Sequence, residues 1–191
     1  QDALPNRAIA IHEGVRQGPL AALEEHAESL PFRLTEREAP RRGGQVLVLL
    51  GNHEAALLAA LGFEVVGLDF SREALAEARR LHGGDTEAGP AAPAGGLRWL
   101  QADLFDGQAL AAADLTPASL AGVLEHTCFC AIDPALRPAY ISAVAELLEP
   151  GGWLLGLFWC HDRPDGPPYG SDPQQLAADL AAAGLVSELW Q

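Results

Sequence analysis

The sequence predicts an α/β fold: a doubly wound, Rossmann-like, mostly parallel sheet with helices on both faces. Continuous apolar runs such as QVLVLL (45–50) and WLLGLFWC (153–160) have the composition of strands buried on both faces. Such runs alternate with helical runs from residue 45 to the end of the chain, and most of the links are short. Parallel strands need crossover connections, and those connections cover both faces of the sheet.

Taken in order, QVLVLL is the first strand and HEAALLAAL (53–61) the first helix, with Gly62 placed for a left-handed C-terminal cap. EVVGLDF (64–70) is a second strand ending in Asp69. Ser71 then caps SREALAEARRLH, with Glu73 in the first turn, basic residues in the last and Gly83-Gly84 closing it. GGDTEAGPAAPAGG (83–96) reads as a surface loop. LRWLQ (97–101) and SLAGVL (119–124) are the third and fourth strands, and PALRPAYISAVAELLE (134–149) is a helix ended by Pro150-Gly151-Gly152. WLLGLFWC is the most apolar run and so an interior strand. Asp172-Pro173 starts a last helix to Ala183, and LVSELW begins a further strand. Upstream, Pro19 and leucines 20, 23 and 30 suggest an amphipathic helix over 18–30. The expected organisation is an N-terminal helical cap segment (1–44) and a main domain (45–191), built as one unit because 191 residues suit a single core.

Composition narrows the function. A formal charge of −14, from 26 acids against 12 Lys and Arg, opposes binding to a phosphate backbone, so no nucleic-acid partner is expected. No apolar run reaches the roughly 18 residues that span a bilayer, and the start of the chain has no basic and apolar leader pattern. A cytoplasmic location without a membrane partner follows as the expectation. Cys128, Cys130 and Cys160 contain no CxxC, so neither a disulfide framework nor a metal site is signalled.

A doubly wound sheet binds its ligand at the carboxyl ends of its strands. Asp69 stands at such an end, 18 residues after Gly51 in the first strand-to-helix turn. A carboxylate there accepts hydrogen bonds from the two hydroxyls of a ribose, or simply caps the next helix beside Ser71. Asp103, just past the third strand and flanked by Leu104 and Phe105, can grip an adenine by its exocyclic amine or be an ordinary loop acid. His126 can take a proton near neutral pH or serve as a polar wall. The turn LLGNHEA (49–55) lacks GxGxxG, which argues against a nicotinamide-dependent oxidoreductase.

The segment EHTCFCAIDPALRPAY (125–140) resembles the corresponding segment of the thiopurine and thiol methyltransferase superfamily, which includes plant halide and thiocyanate methyltransferases. Shared features are an acid, small polar residues, Phe-Cys-Ala-Ile, a proline and an arginine. VVGLDFSREAL (65–75), LLEPGGWL (147–154) and GPP (166–168) extend the resemblance in the right order over roughly residues 45–190. The resemblance implies S-adenosylmethionine as cofactor, S-adenosylhomocysteine as product and a small thiol, selenium or halide-like nucleophile as methyl acceptor. It implies that Asp69, with Phe70 and Ser71, holds ribose, that Asp103, Leu104 and Phe105 hold adenine, and that Glu125 lies beside the cofactor. Gly51, Asn52 and Glu54 would meet its methionyl end, Glu54 facing the ammonium. Arg137, Phe129, Pro167 and Tyr169 would face the acceptor, with Arg137 and His126 the candidate catalytic groups.

The chain departs from the family at that turn. Only Gly51 remains of several glycines, Leu49 and Leu50 replace a proline and small residues, and the link is about two residues short. Leu124 stands where many relatives have a tyrosine. An active enzyme and a degenerate relative that binds a ligand or partner are both compatible with this turn.

Overall fold

The computed structural model describes residues 6–12, 44–84 and 95–190. Seven strands form one sheet: β1 (Asn6–His12), β2 (Gln45–Leu49), β3 (Glu64–Asp69), β4 (Leu97–Gln101), β5 (Leu120–His126), β6 (Leu148–Phe158) and β7 (Leu185–Trp190). Their order is β4-β3-β2-β5-β6-β1-β7, and every pairing is parallel. The helices are α1 (Asn52–Ala60), α2 (Arg72–His82), α3 (Gly107–Ala112), α4 (Arg137–Leu147) and α5 (Pro173–Ala182), with a 3-10 turn at Pro134–Leu136 before α4.

The alternation of side chains along β2 explains the two helical layers. Val46 and Val48 point to one face, where they join Ala55 and Ala59 of α1, Leu75 and Ala78 of α2, and Trp99, Leu124 and Trp153. Leu47 and Leu49 point to the other, against Leu110 of α3, Tyr140, Ile141 and Val144 of α4, and Leu176 and Leu180 of α5. Each fully buried Leu or Val contributes about 1.5–3 kcal/mol, so a polar residue on either side of β2 removes a helix layer's anchor. The glycines of the strands serve the same packing. A Cβ on Gly67 would meet the Trp99 ring at 2.3 Å, so Gly67 is what lets that indole lie flat on β3 while its Nε1 donates to the Gly83 carbonyl at 2.6 Å.

Short polar side chains start three of the five helices, α2, α3 and α5. Ser71 Oγ accepts the Ala74 amide, Asp106 Oδ1 those of Gln108 and Ala109, and Asp172 Oδ1 that of Gln175. The strands and helices expected from residue 45 onward are present within a few residues. Two differ at their ends: β5 runs on through His126, and β6 begins at Leu148, with Pro150-Gly151-Gly152 absorbed as an irregularity in its pairing with β5.

Two elements carry no sign in the sequence pattern. One is α3; the other is β1, which lies within the stretch 1–44 expected to be a helical cap. β1 pairs with β6 and β7, so it supplies backbone partners to a strand that would otherwise end the sheet. Asn6 Oδ1 also accepts the Gly151 amide at 2.8 Å. The helix expected over 18–30 and most of the loop 83–96 lie outside the described residues.

Chain order reverses between β2 and β5, which are neighbours in the sheet: β3 and β4 extend to one side of them, β6, β1 and β7 to the other. The crevice at the carboxyl ends of β2 and β5 is therefore the ligand site expected of this topology.

Candidate active site

Leu49 of β2 pairs in register with Glu125 of β5, which puts the turn into α1 beside the residues that follow β5. Leu50 makes that turn at φ 58°, a left-handed conformation unusual for leucine. Gly51 is buried, and a Cβ on it would lie 3.0 Å from both Glu54 Oε2 and Val48 Cγ1. No side chain caps the start of α1, where Asn52 is the first helical residue.

Glu54, in the first turn of α1, is buried, and its Oε1 lies 3.1 Å from His126 Nδ1. Burial pushes the Glu54 carboxyl up, but the hydrogen bond from His126, the residue's own amide and the nearby His126 and His53 charges outweigh it and hold Glu54 below its ordinary value. The hydrogen bond to Glu54 raises His126 in turn, against its partial burial, with help from the charges of Glu54 and Glu125. His126, open in the sequence as a proton acceptor or a polar wall, has its Nδ1 engaged with Glu54.

Glu125 is 1% exposed, and its Oε1 accepts the Phe129 amide at 2.8 Å. Its Oε2 is buried without a partner among the described residues, as is the hydroxyl of the buried Tyr140. Desolvation pushes the Glu125 carboxyl up to about 7, despite the amides of Phe129 and Cys128 and the charge of His126. Burial pushes the neighbouring Cys128 thiol up to about 12, assisted by Glu125, Asp69 and Asp103. Cys128 is therefore protonated and a poor nucleophile at neutral pH, and it stands among acids that all lie at this one edge.

At the ends of β3 and β4 the two aspartates arrive as the strand pattern predicts. Asp69 is buried, and its Oδ1 accepts the Ser71 amide at 2.8 Å, so it shapes the turn whatever else it binds. Asp103 is exposed, and its Oδ1 accepts the Phe105 amide at 2.9 Å. Gln101 Nε2 donates to the Phe70 carbonyl and ties the two strand ends together. Phe70 and Phe105 are 74% and 41% exposed, whereas Leu104 is buried in the core. The exposed aromatics at these neighbouring strand ends are therefore Phe70 and Phe105, with Leu104 packed beneath.

Arg137, at the start of α4, donates through Nη1 to the Gly170 carbonyl at 2.8 Å and through Nη2 to the Tyr169 carbonyl at 3.0 Å. Its guanidinium lies 4.7 Å from the centre of the Phe129 ring. Phe129 is buried, edge-on to Tyr140 and Phe158. The Tyr169 amide donates to the Cys130 carbonyl at 2.7 Å. Arg137 thus fastens the loop carrying Pro167 and Tyr169 to the segment after β5, and Pro167 is exposed while Tyr169 is half-buried. Nothing in the sequence distinguished this structural task from contact with an acceptor. Among the described residues no cluster of His, Cys, Asp or Glu could hold a metal ion.

The doubly wound parallel sheet, with Asp69, Asp103 and Glu125 at the carboxyl ends of β3, β4 and β5 around the switch point, has the class I methyltransferase fold. More narrowly, the chain belongs to the Thiopurine S-methyltransferase (TPMT) family, whose model matches residues 23–189. Over 136 residues it is 32% identical to thiocyanate methyltransferase 1 of Arabidopsis thaliana, covering 71% of this chain and 54% of that protein. It is 30% identical over 145 residues to the thiopurine S-methyltransferase of Bordetella parapertussis, covering 71% and 64%. The chain thus spans about half to two thirds of the length of these relatives. Among solved structures, the Burkholderia thailandensis 1,6-didemethyltoxoflavin-N1-methyltransferase, bound to 1,6-didemethyltoxoflavin and S-adenosylhomocysteine, has the same fold with a TM-score of 0.53, 17% identity and coverage of 85% and 74%.

Proposed function

We propose that this protein is an S-adenosylmethionine-dependent methyltransferase acting on a small thiol, selenium or halide-like nucleophile. The observation that carries this reading is the family membership of residues 23–189 together with the edge built by Asp69, Phe70, Asp103 and Phe105. The adenosine half of the cofactor fits that edge. Asp69 would accept from the ribose hydroxyls with the carboxylate oxygen that the Ser71 amide leaves over, and Asp103 would take the adenine amine while Phe70 and Phe105 cover the ring. The methionyl half fits less openly: the amides of Asn52 and His53 have no side-chain cap, but Glu54 already faces His126.

S-adenosylmethionine supplies a methyl group on a sulfonium, a leaving group that needs no acid to help it depart. The protein's work is then to hold the acceptor in line and keep water away. Arg137 does the first of these indirectly, by fixing the Tyr169 loop, and the buried Glu125 and Tyr140 lie beside the segment that it holds. Such an active site needs no metal. Operation in the cytoplasm on a diffusible acceptor is part of this proposal; among the described residues no helix is long and apolar enough to cross a membrane.

Calorimetric titration with S-adenosylhomocysteine, paired with methyl transfer from S-adenosylmethionine to bisulfide, thiocyanate and iodide, tests the proposal. Binding with transfer to at least one acceptor supports it. Binding of neither cofactor form, by protein of verified mass, overturns it.

A further inference from the structure

The Glu54–His126 contact joins α1 to β5 across the switch point of the sheet. Its two side chains are 4% and 20% exposed and its N···O distance is 3.1 Å. A carboxylate so enclosed stays charged only with a cation beside it. Three histidines are coupled to Glu54: His126 makes the hydrogen bond, His53, also on α1, acts at longer range, and His82 of α2, edge-on to His53, feels the Glu54 charge. Glu125 precedes His126 on β5 and projects to the opposite face of the sheet, and its charge favours the charged form of His126 through space. Resting on the proposed cofactor, whose methionyl ammonium brings a further positive charge to this end of the crevice, the arrangement has a consequence for protons. One buried carboxylate does not hold two cations at hydrogen-bond distance without repulsion between them.

We propose that His126 is a displaceable counter-ion: its imidazolium neutralises Glu54 in the free protein, and it gives up its proton to solvent when the cofactor's ammonium takes its place. His126 is then a positioning residue that keeps Glu54 ionised and aimed before the ligand arrives, and it is not the acceptor's base. The charge at the pair is conserved, since one cation leaves as a proton while another enters with the ligand. By linkage, affinity for any ligand carrying that ammonium rises as His126 deprotonates, by up to about tenfold per pH unit for one proton displaced.

The test is calorimetry of the full chain with S-adenosylhomocysteine at pH 6.5 in two buffers of different ionisation enthalpy, which counts protons released. The expected result is release approaching one proton per ligand for the native protein, little release with adenosine, which lacks the ammonium, and little release with either ligand for His126→Gln. A second measurement needs no variant: in the native protein the pKa of one histidine, followed by its ring proton resonances, should fall on saturation with S-adenosylhomocysteine. Binding without proton release and without a histidine shift overturns this inference and leaves the proposed function standing. Undiminished release from His126→Gln also overturns it, by assigning the proton to Glu125. Absence of S-adenosylhomocysteine binding overturns both.

Discussion

Arg137 spans from the first turn of α4 to the carbonyls of Tyr169 and Gly170, while its guanidinium lies over the Phe129 ring. Three contacts through one side chain fasten the loop after β6 to the segment after β5. Hydrogen bonds from a charged donor are worth about 1.5–3 kcal/mol each, and a cation over a ring adds roughly 0.5–2 kcal/mol. Because the contacts share one side chain, they do not add fully. Arg137→Ala is expected to destabilise the protein by about 2–3 kcal/mol, visible as a lower denaturant midpoint. In an active preparation it should raise KM for the acceptor more than it lowers the affinity for S-adenosylhomocysteine. Arg137→Lys keeps the charge but not the fork, so it should recover little.

Asp69→Ala should weaken binding of S-adenosylhomocysteine by roughly 1.5–3 kcal/mol, the scale of a hydrogen bond to a charged group. The same carboxylate also accepts the Ser71 amide, so alanine loses a turn as well as a ligand contact. Asp69→Asn separates the two, since its amide oxygen can keep the turn. Calorimetry on a folded Asp69→Ala variant with unchanged affinity would remove Asp69 from the site.

Glu125 makes the stability of the fold fall as pH rises. Its folded-state value is pushed up to about 7 from an ordinary 4.5, chiefly by desolvation. Between those values the native state holds a proton that the unfolded chain has lost. The stabilisation is therefore fully present below about 4.5 and is lost as pH rises through about 7, a change of roughly 3 kcal/mol. His126, also raised, works in the same direction above its ordinary 6.5, while Glu54, lowered, contributes stability that is present above its ordinary 4.5 and lost as pH falls below it. Glu125→Gln keeps an acceptor for the Phe129 amide and cannot ionise. Thermal melts from pH 4.5 to 8 should show a downward slope for the native protein that is much reduced in this variant.

What the sequence made legible follows from local chemistry. Val46 to Leu49 must be buried on both faces wherever they go, and Ser71, Asp172 and the glycine at 83 punctuate helices within a few residues of themselves. Asp69 and Asp103 were placed correctly because a strand end fixes them. Illegible features depend on distant partners. The strand Asn6–His12 is defined by a slot between β6 and β7 that exists only once those strands are in place. The tie between Glu54 and His126 requires the β2–β5 register, and the tie from Arg137 to Tyr169 requires the loop to fold back. Leu104 is buried and Phe105 exposed, a difference that no one-residue signal in the sequence distinguishes.

The turn from β2 into α1 decides how much of the cofactor is recognised. Leu50 holds φ 58°, where a side chain costs on the order of 1–2 kcal/mol. Leu50→Gly removes the strain and the bulk together, but glycine raises the entropy lost on folding by a comparable 0.5–1 kcal/mol and gives up the half-buried leucine's packing. Net stability should therefore change by no more than about 1 kcal/mol. Ligand recognition should change in one direction only. The proposed adenosine contacts at Asp69 and Asp103 lie one and two strands from β2, and the link from this turn to β3 is the Leu50 amide to the Leu68 carbonyl, a backbone bond that glycine keeps, so adenosine affinity should stay constant. S-adenosylhomocysteine adds a carboxylate for the open amides of α1 and an ammonium for Glu54, so the native protein should bind it at least tenfold more tightly than adenosine, about 1.4 kcal/mol. Leu50→Gly should widen that ratio by opening the approach to Asn52 and His53. Equal affinities of the two ligands for both proteins, together with no methyl transfer to thiols or iodide, would mean that the methionyl end has no site, and the chain would then be a nucleoside-binding relative of the family rather than an enzyme.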